Sequence, residues 1–251
     1  MLINHPNHTN KAHHKYMNVG FGSLIYIKRI MNKIIFPIIK IVKSNNKFIF
    51  RNKKYYYFIH ENSWATERVV EIPIVLNYID KNKKILEVGN VLSQFVDVKW
   101  DIVDKYEKGK GVINEDIIEF KPKEKYDLII SISTLEHVGF NEQVGLGELV
   151  KSDDEEDNDK IIEAIINLKN NCLKPNGNII ATVPLGYNKK MDKKLFDNKL
   201  GFDELFFLKR VSKSNEWKEI NKNEVVDAQY GYPFSCANYI CIGIYESQGG
   251  F

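Results

Sequence analysis

Two pairs of residues in the sequence have the types and spacing that group-transfer chemistry needs. Glu136 and His137 are adjacent and follow an apolar run, and an imidazole titrates in the pH range useful for removing a proton. Gly89 and Asp104 each end a short apolar run, 15 residues apart. A glycine there lets a ligand approach the backbone, and a carboxylate there can accept hydrogen bonds from a ribose diol. These residues predict a nucleotide-type binding site with a candidate base.

An alternation of apolar runs and helical spacing must position these residues. The runs read KILEVG, WDIVD, YDLIISIS and NIIATVP, and helical spacing of apolar residues separates the last two. Apolar strands separated by helices are typical of parallel sheets buried on both faces. Residues 238–246 show no helical period and predict a closing antiparallel strand. We therefore expect an α/β fold with a doubly wound, mostly parallel sheet, helices on both faces and a C-terminal antiparallel edge strand.

The N-terminal residues differ in character from the rest of the chain. We assign residues 1–54 to an N-terminal extension, partly disordered or forming a peripheral helix, and residues 55–251 to the domain that carries the site. Residues 24–43 interleave apolar and basic side chains, which fits either peripheral contact with an anionic membrane or an element packed on the main domain. We favour packing, because apolar residues occur on all sides of the helical projection.

Composition narrows the class of protein and its partners. The 36 basic and 33 acidic residues nearly balance, so nucleic acid is not an expected partner of the whole chain. Three widely spaced cysteines lack metal-ligand spacing, so we expect no metal and a reducing, cytoplasmic location. No signal peptide or uninterrupted apolar run of transmembrane length is present. The oligomeric state cannot be predicted from the sequence.

Five segments in order resemble the class I S-adenosylmethionine (SAM)-dependent methyltransferases over residues 83–187. They read ILEVGN, WDIVDKY, NEDIIEF, KYDLIISISTLEHV and LKPNGNIIATVP, of which the last two are the most specific. The resemblance implies a Rossmann-like fold, SAM as the cofactor, and methyl transfer to a small-molecule or glycan acceptor. It argues against an amine-methylating nucleic-acid enzyme, because Ser133–Glu136 stands where such enzymes carry Asn/Asp-Pro-Pro-aromatic.

The resemblance also implies roles for individual residues. Those expected to contact the cofactor lie at the carboxyl ends of the predicted strands: Glu87, Gly89, Asn90, Asp104, Lys105, Asp116, Ile117, Ser131 and Ser133. Glu87 would lie near the amino-acid end of SAM, Asp104 would hold the ribose hydroxyls, and Asp116 would bond the adenine. His137 and Glu136 would stand at the methyl-transfer side, with His137 as the first candidate for a base.

One departure from the family pattern leaves two alternatives open. The usual E-x-G-x-G-x-G loop here has Val91 and Ser93 in place of the second and third glycines, so only Gly89 remains. A catalytically degenerate Rossmann-like nucleotide-binding module is one alternative, since a fold does not fix a function. A nicotinamide-dependent oxidoreductase is the other, because a strand, a glycine turn and a distal Asp also occur there.

Overall fold

The computed structural model describes residues 35–139 and 159–248, in two compact units that divide between Asn45 and Asn46. In the first unit, residues 35–43 are helical and are named α1. Most of the predicted 24–43 segment, the N-terminal histidines and the acidic run at 152–158 lie outside the described residues. Within the described residues, no helix is long and apolar enough to cross a bilayer.

The second unit opens with a hairpin that the sequence analysis did not assign. Strands β1 (Lys47–Phe50) and β2 (Lys53–Tyr56) pair antiparallel. The inward side chains Phe48, Phe50 and Tyr55 are buried in the core that the hairpin shares with helix and sheet residues. The second compact unit begins at Asn46, and these aromatic residues belong to its core.

A mixed sheet of eight strands forms the body of this unit. Its strands are β3 (Ile85–Val88), β4 (Asp101–Val103), β5 (Val112–Ile113), β6 (Tyr126–Ile132), β7 (Leu173–Pro184), β8 (Glu204–Arg210), β9 (Trp217–Ile220) and β10 (Tyr239–Glu246). The spatial order is β5-β4-β3-β6-β7-β10-β8-β9. The first five strands in this order are parallel, which confirms the predicted alternation. The order reverses at β3, where α/β sheets bind ligands at the carboxyl ends of the strands.

The C-terminal strand β10 is antiparallel, as the sequence predicts, and pairs with both β7 and β8. The outermost strand on this side is β9, which pairs antiparallel with β8. The residues of β8 and β9 have mixed apolar and charged patterns, so the sequence analysis left them unassigned. The sheet therefore continues for two strands beyond its C-terminal strand.

Helices cover both faces of the sheet, which confirms the doubly wound arrangement. They are α2 (Arg68–Leu76), α3 (Lys160–Asn167) and α4 (Lys189–Phe196). Apolar residues of α2 share one core with Leu128 and Ile130 of β6, whereas those of α3 and α4 share the other core with Ile129. This alternation follows from strand geometry, in which successive side chains point to opposite faces.

The connections beside β3 and β4 are unusually short. Residues 89–100 join β3 to β4, and their only helical turn is a 3₁₀ turn at Leu92–Gln94. Residues 104–111 join β4 to β5 without any helix. The parallel crossovers that usually carry α-helices therefore lack them here.

A buried amide fixes another loop at this edge. The side chain of Asn167, at the end of α3, donates to the carbonyl oxygens of Ile117 and Phe120, both at 2.8 Å. Asn171 donates in turn to Oδ1 of Asn167 at 2.7 Å. The turn at 116–120 is therefore tied to the helix that packs behind it.

We expect Asn167→Ala to lower the free energy of unfolding by about 2 kcal/mol, because it leaves two buried carbonyl oxygens without their donor. Urea denaturation measures this change. The matched control is Asn170→Ala, whose exposed side chain lies one turn away, and which should change stability by less than about 0.5 kcal/mol. Equal effects of the two substitutions would contradict the bridging role.

Candidate functional site

A cavity of about 390 Å³ opens at the carboxyl ends of β3 and β4. This volume is in the range of small-molecule binding sites. Its floor is apolar and its rim is charged. The lining residues are Val88, Gly89, Asn90, Val91, Gln94, Val103, Asp104, Lys105, Tyr106, Glu107, Glu115, Asp116, Ile117, Ile118, Thr134, His137, Val138, Gly139 and Lys160. Seven of the eleven sequence-predicted site residues are therefore brought together here: Gly89, Asn90, Asp104, Lys105, Asp116, Ile117 and His137.

Gly89 is the point where the backbone turns into the cavity. Its φ of 86° lies in the left-handed region, and a Cβ atom there would overlap the side chain of Thr134. Val91 has a φ of −99°, which any residue adopts. The loop in this chain therefore requires a glycine at 89 and does not require one at 91.

A buried carboxylate holds the loop that follows Gly89. Oε1 of Glu87 accepts hydrogen bonds from the amides of Val91 at 3.0 Å and Leu92 at 2.7 Å, and Oε2 accepts one from Nε1 of Trp100 at 3.0 Å. Burial raises the pKa of Glu87 above its ordinary value, although these hydrogen bonds oppose the shift. The side chain is fully buried and does not line the cavity, so its contacts are with the loop itself.

Asp104 lines the cavity and also orders the loop after β4. Its Oδ1 accepts from the amides of Tyr106 at 2.9 Å and Glu107 at 2.7 Å, and its Oδ2 accepts from the amide of Asn90 at 3.2 Å. A carboxylate has about four acceptor positions, so three bonds leave it with capacity for a ligand hydroxyl. The side chain of Asn90 donates to Oε1 of Glu107 at 2.9 Å, which places a second carboxylate beside the first.

Asp116 and Lys105 form the opposite side of the rim. Nζ of Lys105 lies 2.8 Å from Oδ2 of Asp116, and the amide of Ile118 donates to Oδ1 at 3.0 Å. Burial alone would raise the pKa of Asp116, but the bonds from Lys105 and Ile118 outweigh it and hold the pKa below its ordinary value. Ile117 and Ile118 add apolar surface next to this ionised carboxylate.

Ser131 and Ser133 lie behind the cavity and do not line it. The hydroxyl of Ser131 donates to the carbonyl of Val88 at 3.2 Å, between β6 and β3. Ser133 has a φ of 41° and donates to Oε1 of Glu71 at 2.7 Å, which ties the end of β6 to α2. The residue that reaches the cavity from this strand end is Thr134.

His137 and Glu136 lie on a short 3₁₀ turn after β6, and only His137 lines the cavity. Nε2 of His137 is 3.7 Å from Oε1 of Glu136. The imidazole ring packs edge-on against the ring of Tyr187, with 4.9 Å between the ring centroids. Glu136 is buried, and its Oε2 has no hydrogen-bond partner within the described residues. Burial raises the pKa of Glu136 well above its ordinary value.

Sequence reasoning missed several cavity residues. Glu107 and Thr134 were not singled out, although each lies within three residues of a predicted site residue. Gln94 and Lys160 come from the 3₁₀ turn and from the start of α3. Proximity to Asp104 was a signal for Glu107, whereas nothing in the local pattern pointed to Lys160.

The cavity is acidic on balance. Among its described lining residues, four carboxylates (Asp104, Glu107, Glu115 and Asp116) face two lysines (Lys105 and Lys160). Its loop amides are also already engaged, because those of Gly89, Asn90, Val91 and Leu92 bond to acceptors of the protein. Within the same described residues, no group of three His, Cys, Asp or Glu side chains is arranged to hold a metal ion. The arrangement favours a cationic ligand over a phosphate-bearing one.

Neither a protein-family model nor a curated protein matches the sequence. Among solved structures, the chain is similar to the N-methyltransferase NodS from Bradyrhizobium japonicum WM9 in complex with S-adenosyl-L-homocysteine, at 12% identity and a TM-score of 0.40, over 66% of this chain and 78% of that one. The chain is also similar to a SAM-dependent methyltransferase from Archaeoglobus fulgidus, at 15% identity and a TM-score of 0.42, over 69% of this chain and 90% of that one. A third similar structure is a SAM-dependent methyltransferase from Thermotoga maritima, described as a possible histamine N-methyltransferase. Its identity is 14% and its TM-score 0.41, over 71% of this chain and 88% of that one. Similarity at this level leaves the function to be argued from the cavity itself.

A second buried acid fixes the loop that carries Tyr187. Oδ2 of Asp192 accepts from the amide of Gly186 at 2.7 Å, whereas its Oδ1 has no partner within the described residues. The side chain of Asn188 donates to the carbonyl of Glu136 at 3.0 Å. Burial raises the pKa of Asp192 to about 6, against the opposing effect of the Gly186 bond.

We expect Asp192 to make the protein less stable as pH rises from about 4 to about 6. The folded state keeps the proton until pH about 6, whereas the unfolded chain releases it near the ordinary pKa of an aspartate, so the contribution present at low pH is lost over this window. The loss is on the order of 3 kcal/mol. Urea denaturation at several pH values should show that Asp192→Asn removes this decline.

The control for the pH dependence is Asp197→Asn, on an exposed carboxylate just after α4. It should leave the decline between pH 4 and 6 in place. If Asp192→Asn and the wild type gave parallel stability curves over this window, the buried acid would not be its source.

Proposed function

We propose that this chain binds SAM in the cavity at β3 and β4 and transfers its methyl group to a small-molecule or glycan acceptor. The proposal is carried by one observation: the cavity at the switch point of the sheet is acidic, and its loop amides are occupied. SAM carries a sulfonium and an ammonium against one carboxylate, so it is a net cation. An acidic rim attracts such a ligand electrostatically.

The same observation argues against a nicotinamide cofactor. Dinucleotide sites hold a pyrophosphate on free amides at the N-terminus of a helix. Here the first crossover has a 3₁₀ turn instead of an α-helix, and Glu87 already accepts the amide hydrogens of Val91 and Leu92. A pyrophosphate would meet carboxylates at Asp104 and Glu107, while the amides of residues 89–92 already bond to the protein.

The residues that are present fit the parts of SAM in turn. Asp104 would accept hydrogen bonds from the ribose hydroxyls, with Glu107 beside it. Asp116 would accept a hydrogen bond from the adenine amino group, while Val103 and Ile117 would pack on the ring. Gly89 would lie beside the amino-acid portion; its φ of 86° and the close packing of Thr134 exclude a side chain at this turn.

His137 is the residue proposed to act on the acceptor. When bound, SAM supplies an already activated methyl group, so the protein has to orient the acceptor, exclude water and accept its proton. His137 lines the cavity and is adjacent to Glu136. Because Glu136 is buried and does not line the cavity, we place it as a positioning residue behind His137.

A second candidate function is a nucleotide-binding module that has lost catalysis. The shortened β3–β4 crossover, together with Val91 in the cavity lining, favours it, because both narrow the region where the amino-acid portion of SAM would lie. Binding of SAM without methyl transfer to any acceptor would identify this function.

We expect SAM to bind with a Kd below about 1 mM, the upper end of ordinary enzyme affinities, and reduced nicotinamide cofactor to show no binding at that concentration. Isothermal titration calorimetry measures both. Asp104→Asn should weaken SAM binding about 10- to 100-fold, because it removes a charged acceptor. Asp97→Asn, on a well-exposed side chain before β4, is the charge-matched control and should bind like the wild type.

Thermal unfolding must show that Asp104→Asn remains folded, since Asp104 also orders its own loop. Absence of SAM binding by the folded wild-type protein would refute the proposed cofactor. Tighter binding of the nicotinamide cofactor than of SAM would favour an oxidoreductase instead.

We expect His137→Asn to reduce methyl transfer at least about 100-fold, as loss of a general base does, while leaving SAM affinity within about threefold of the wild type. Transfer is measured from tritiated SAM to fractions of small molecules and glycans extracted from cells. His60→Asn is the control, because that ring stacks on Phe58 outside the cavity. Unchanged transfer by His137→Asn would remove His137 from the mechanism.

A further inference from the structure

The basic residues are concentrated at the N-terminal end of the chain. Residues 1–60 contain eleven of the 36 lysines and arginines and none of the 33 acidic residues. This region therefore carries a formal charge of +11, whereas the rest of the chain carries −8. Such asymmetry indicates a polyanionic partner for one end of the chain, and it is hidden in the net charge of +3.

Helix α1 presents an apolar face to solvent. Ile35, Ile38, Ile41 and Val42 are 40%, 63%, 76% and 66% exposed. Their spacing places them on one side of the helix, within an arc of about 120° at 3.6 residues per turn. The sequence projection showed apolar residues on all sides because it included Phe36 and Ile39, which are partly buried in the structure.

The lysines of α1 lie away from this face. Lys40 and Lys43 project about 80–140° from Ile35 around the helix axis, outside the apolar arc. An exposed helix with an aliphatic face and lysines on its other side is typical of elements that lie in the interface of a bilayer. The lysine stems can extend toward lipid headgroups while the aliphatic face enters the acyl boundary.

The hairpin β1–β2 has the same chemistry on its outward face. Lys47 pairs with Tyr56 and Ile49 pairs with Lys54 across the two strands. Ile49 and Tyr56 are more than half exposed, and Nζ of Lys47 lies 4.3 Å above the centre of the Tyr56 ring. Tyrosine and lysine side by side are favoured where one part of a surface is apolar and the other wet.

We propose that α1 binds the surface of an anionic phospholipid bilayer; the β1–β2 hairpin, considered by itself, exposes side chains of the same kind. The positive charge supplies long-range attraction, and the exposed isoleucines and valine supply apolar insertion; stable peripheral binding requires two such signals together. The proposal does not depend on the function of the cavity.

Two other occupants fit less well. A nucleic acid would match the charge, but sites for single strands use stacking aromatics, and the aliphatic face of α1 would stay in water. A second copy of the chain would cover the aliphatic face, but it would bring two regions of charge +11 together. A lipid surface satisfies both the charge and the aliphatic face.

The test is co-sedimentation of the full chain with vesicles of phosphatidylcholine alone and of phosphatidylcholine with phosphatidylglycerol. We expect binding to the anionic vesicles that weakens as salt is raised, and at least tenfold weaker binding to the neutral ones. I38E/I41E should abolish the binding. The matched control is V211E/V226E, which alters two apolar residues at least half exposed elsewhere on the chain and should bind like the wild type.

A second pair of variants tests the charge separately. K40Q/K43Q should lower the partition coefficient about 25-fold, since each basic residue near an anionic surface contributes about fivefold. K213Q/K218Q changes two exposed lysines outside the region and should have little effect. Circular dichroism checks that every variant is folded.

Three results would overturn the proposal. The first is no sedimentation of the wild type with anionic vesicles. The second is a dimer in light scattering that I38E/I41E converts to a monomer, which would assign the face to a second copy. The third is tighter binding to a single-stranded oligonucleotide than to vesicles, with I38E/I41E unchanged in both, which would assign the region to nucleic acid.

Discussion

The cavity depends on the buried carboxylate of Glu87. A carboxylate in the centre of the sheet is costly unless its oxygens accept hydrogen bonds, and the 89–100 connection supplies them from Val91, Leu92 and Trp100. These hydrogen bonds have two consequences. They hold the short connection in place without an α-helix behind it, and they direct the amides of Val91 and Leu92 toward Glu87 and away from a ligand. The charged groups that remain to face a ligand at the cavity are mostly carboxylates.

The remainder of the site follows from sheet geometry. The carboxyl ends of β3, β4 and β5 meet at one edge, so Gly89, Asp104 and Asp116 converge although they are separated along the chain. Asn167 fixes the third of these loops from α3, and Thr134 packs against Gly89 from the end of β6. The loops after β3 and β5 are therefore each positioned by a contact from another element.

The parallel half of the sheet could be predicted from the sequence because its strands are buried on both faces and read as continuous apolar runs. Strands β8 and β9 could not, since charged residues interrupt their short apolar runs. The hairpin β1–β2 was missed because its inward aromatic residues are separated along the chain by exposed residues, which include Ile49, Arg51, Lys53 and Lys54.

Within the site, glycine and aspartate at strand ends were good signals, because position along a parallel strand fixes position at the sheet edge. The sequence did not predict that the side chains of Glu87, Ser131 and Ser133 point away from the cavity. Each makes its hydrogen bonds to groups brought near only by the fold, such as Glu71 of α2 for Ser133. Whether a polar side chain faces a ligand or its own scaffold is decided by these tertiary partners.

The position of β10 affects how the protein is made. This strand comes from residues 239–246, yet it lies between β7 and β8 and supplies the hydrogen bonds that join them. During synthesis from the N-terminus, β7 has no neighbour on that side until residues 239–246 leave the ribosome. A half-built sheet with an unpaired strand is prone to join another chain. Premature termination before residue 239 would leave that edge permanently open, so truncated products should be recognised by chaperones and proteases rather than accumulate as folded fragments.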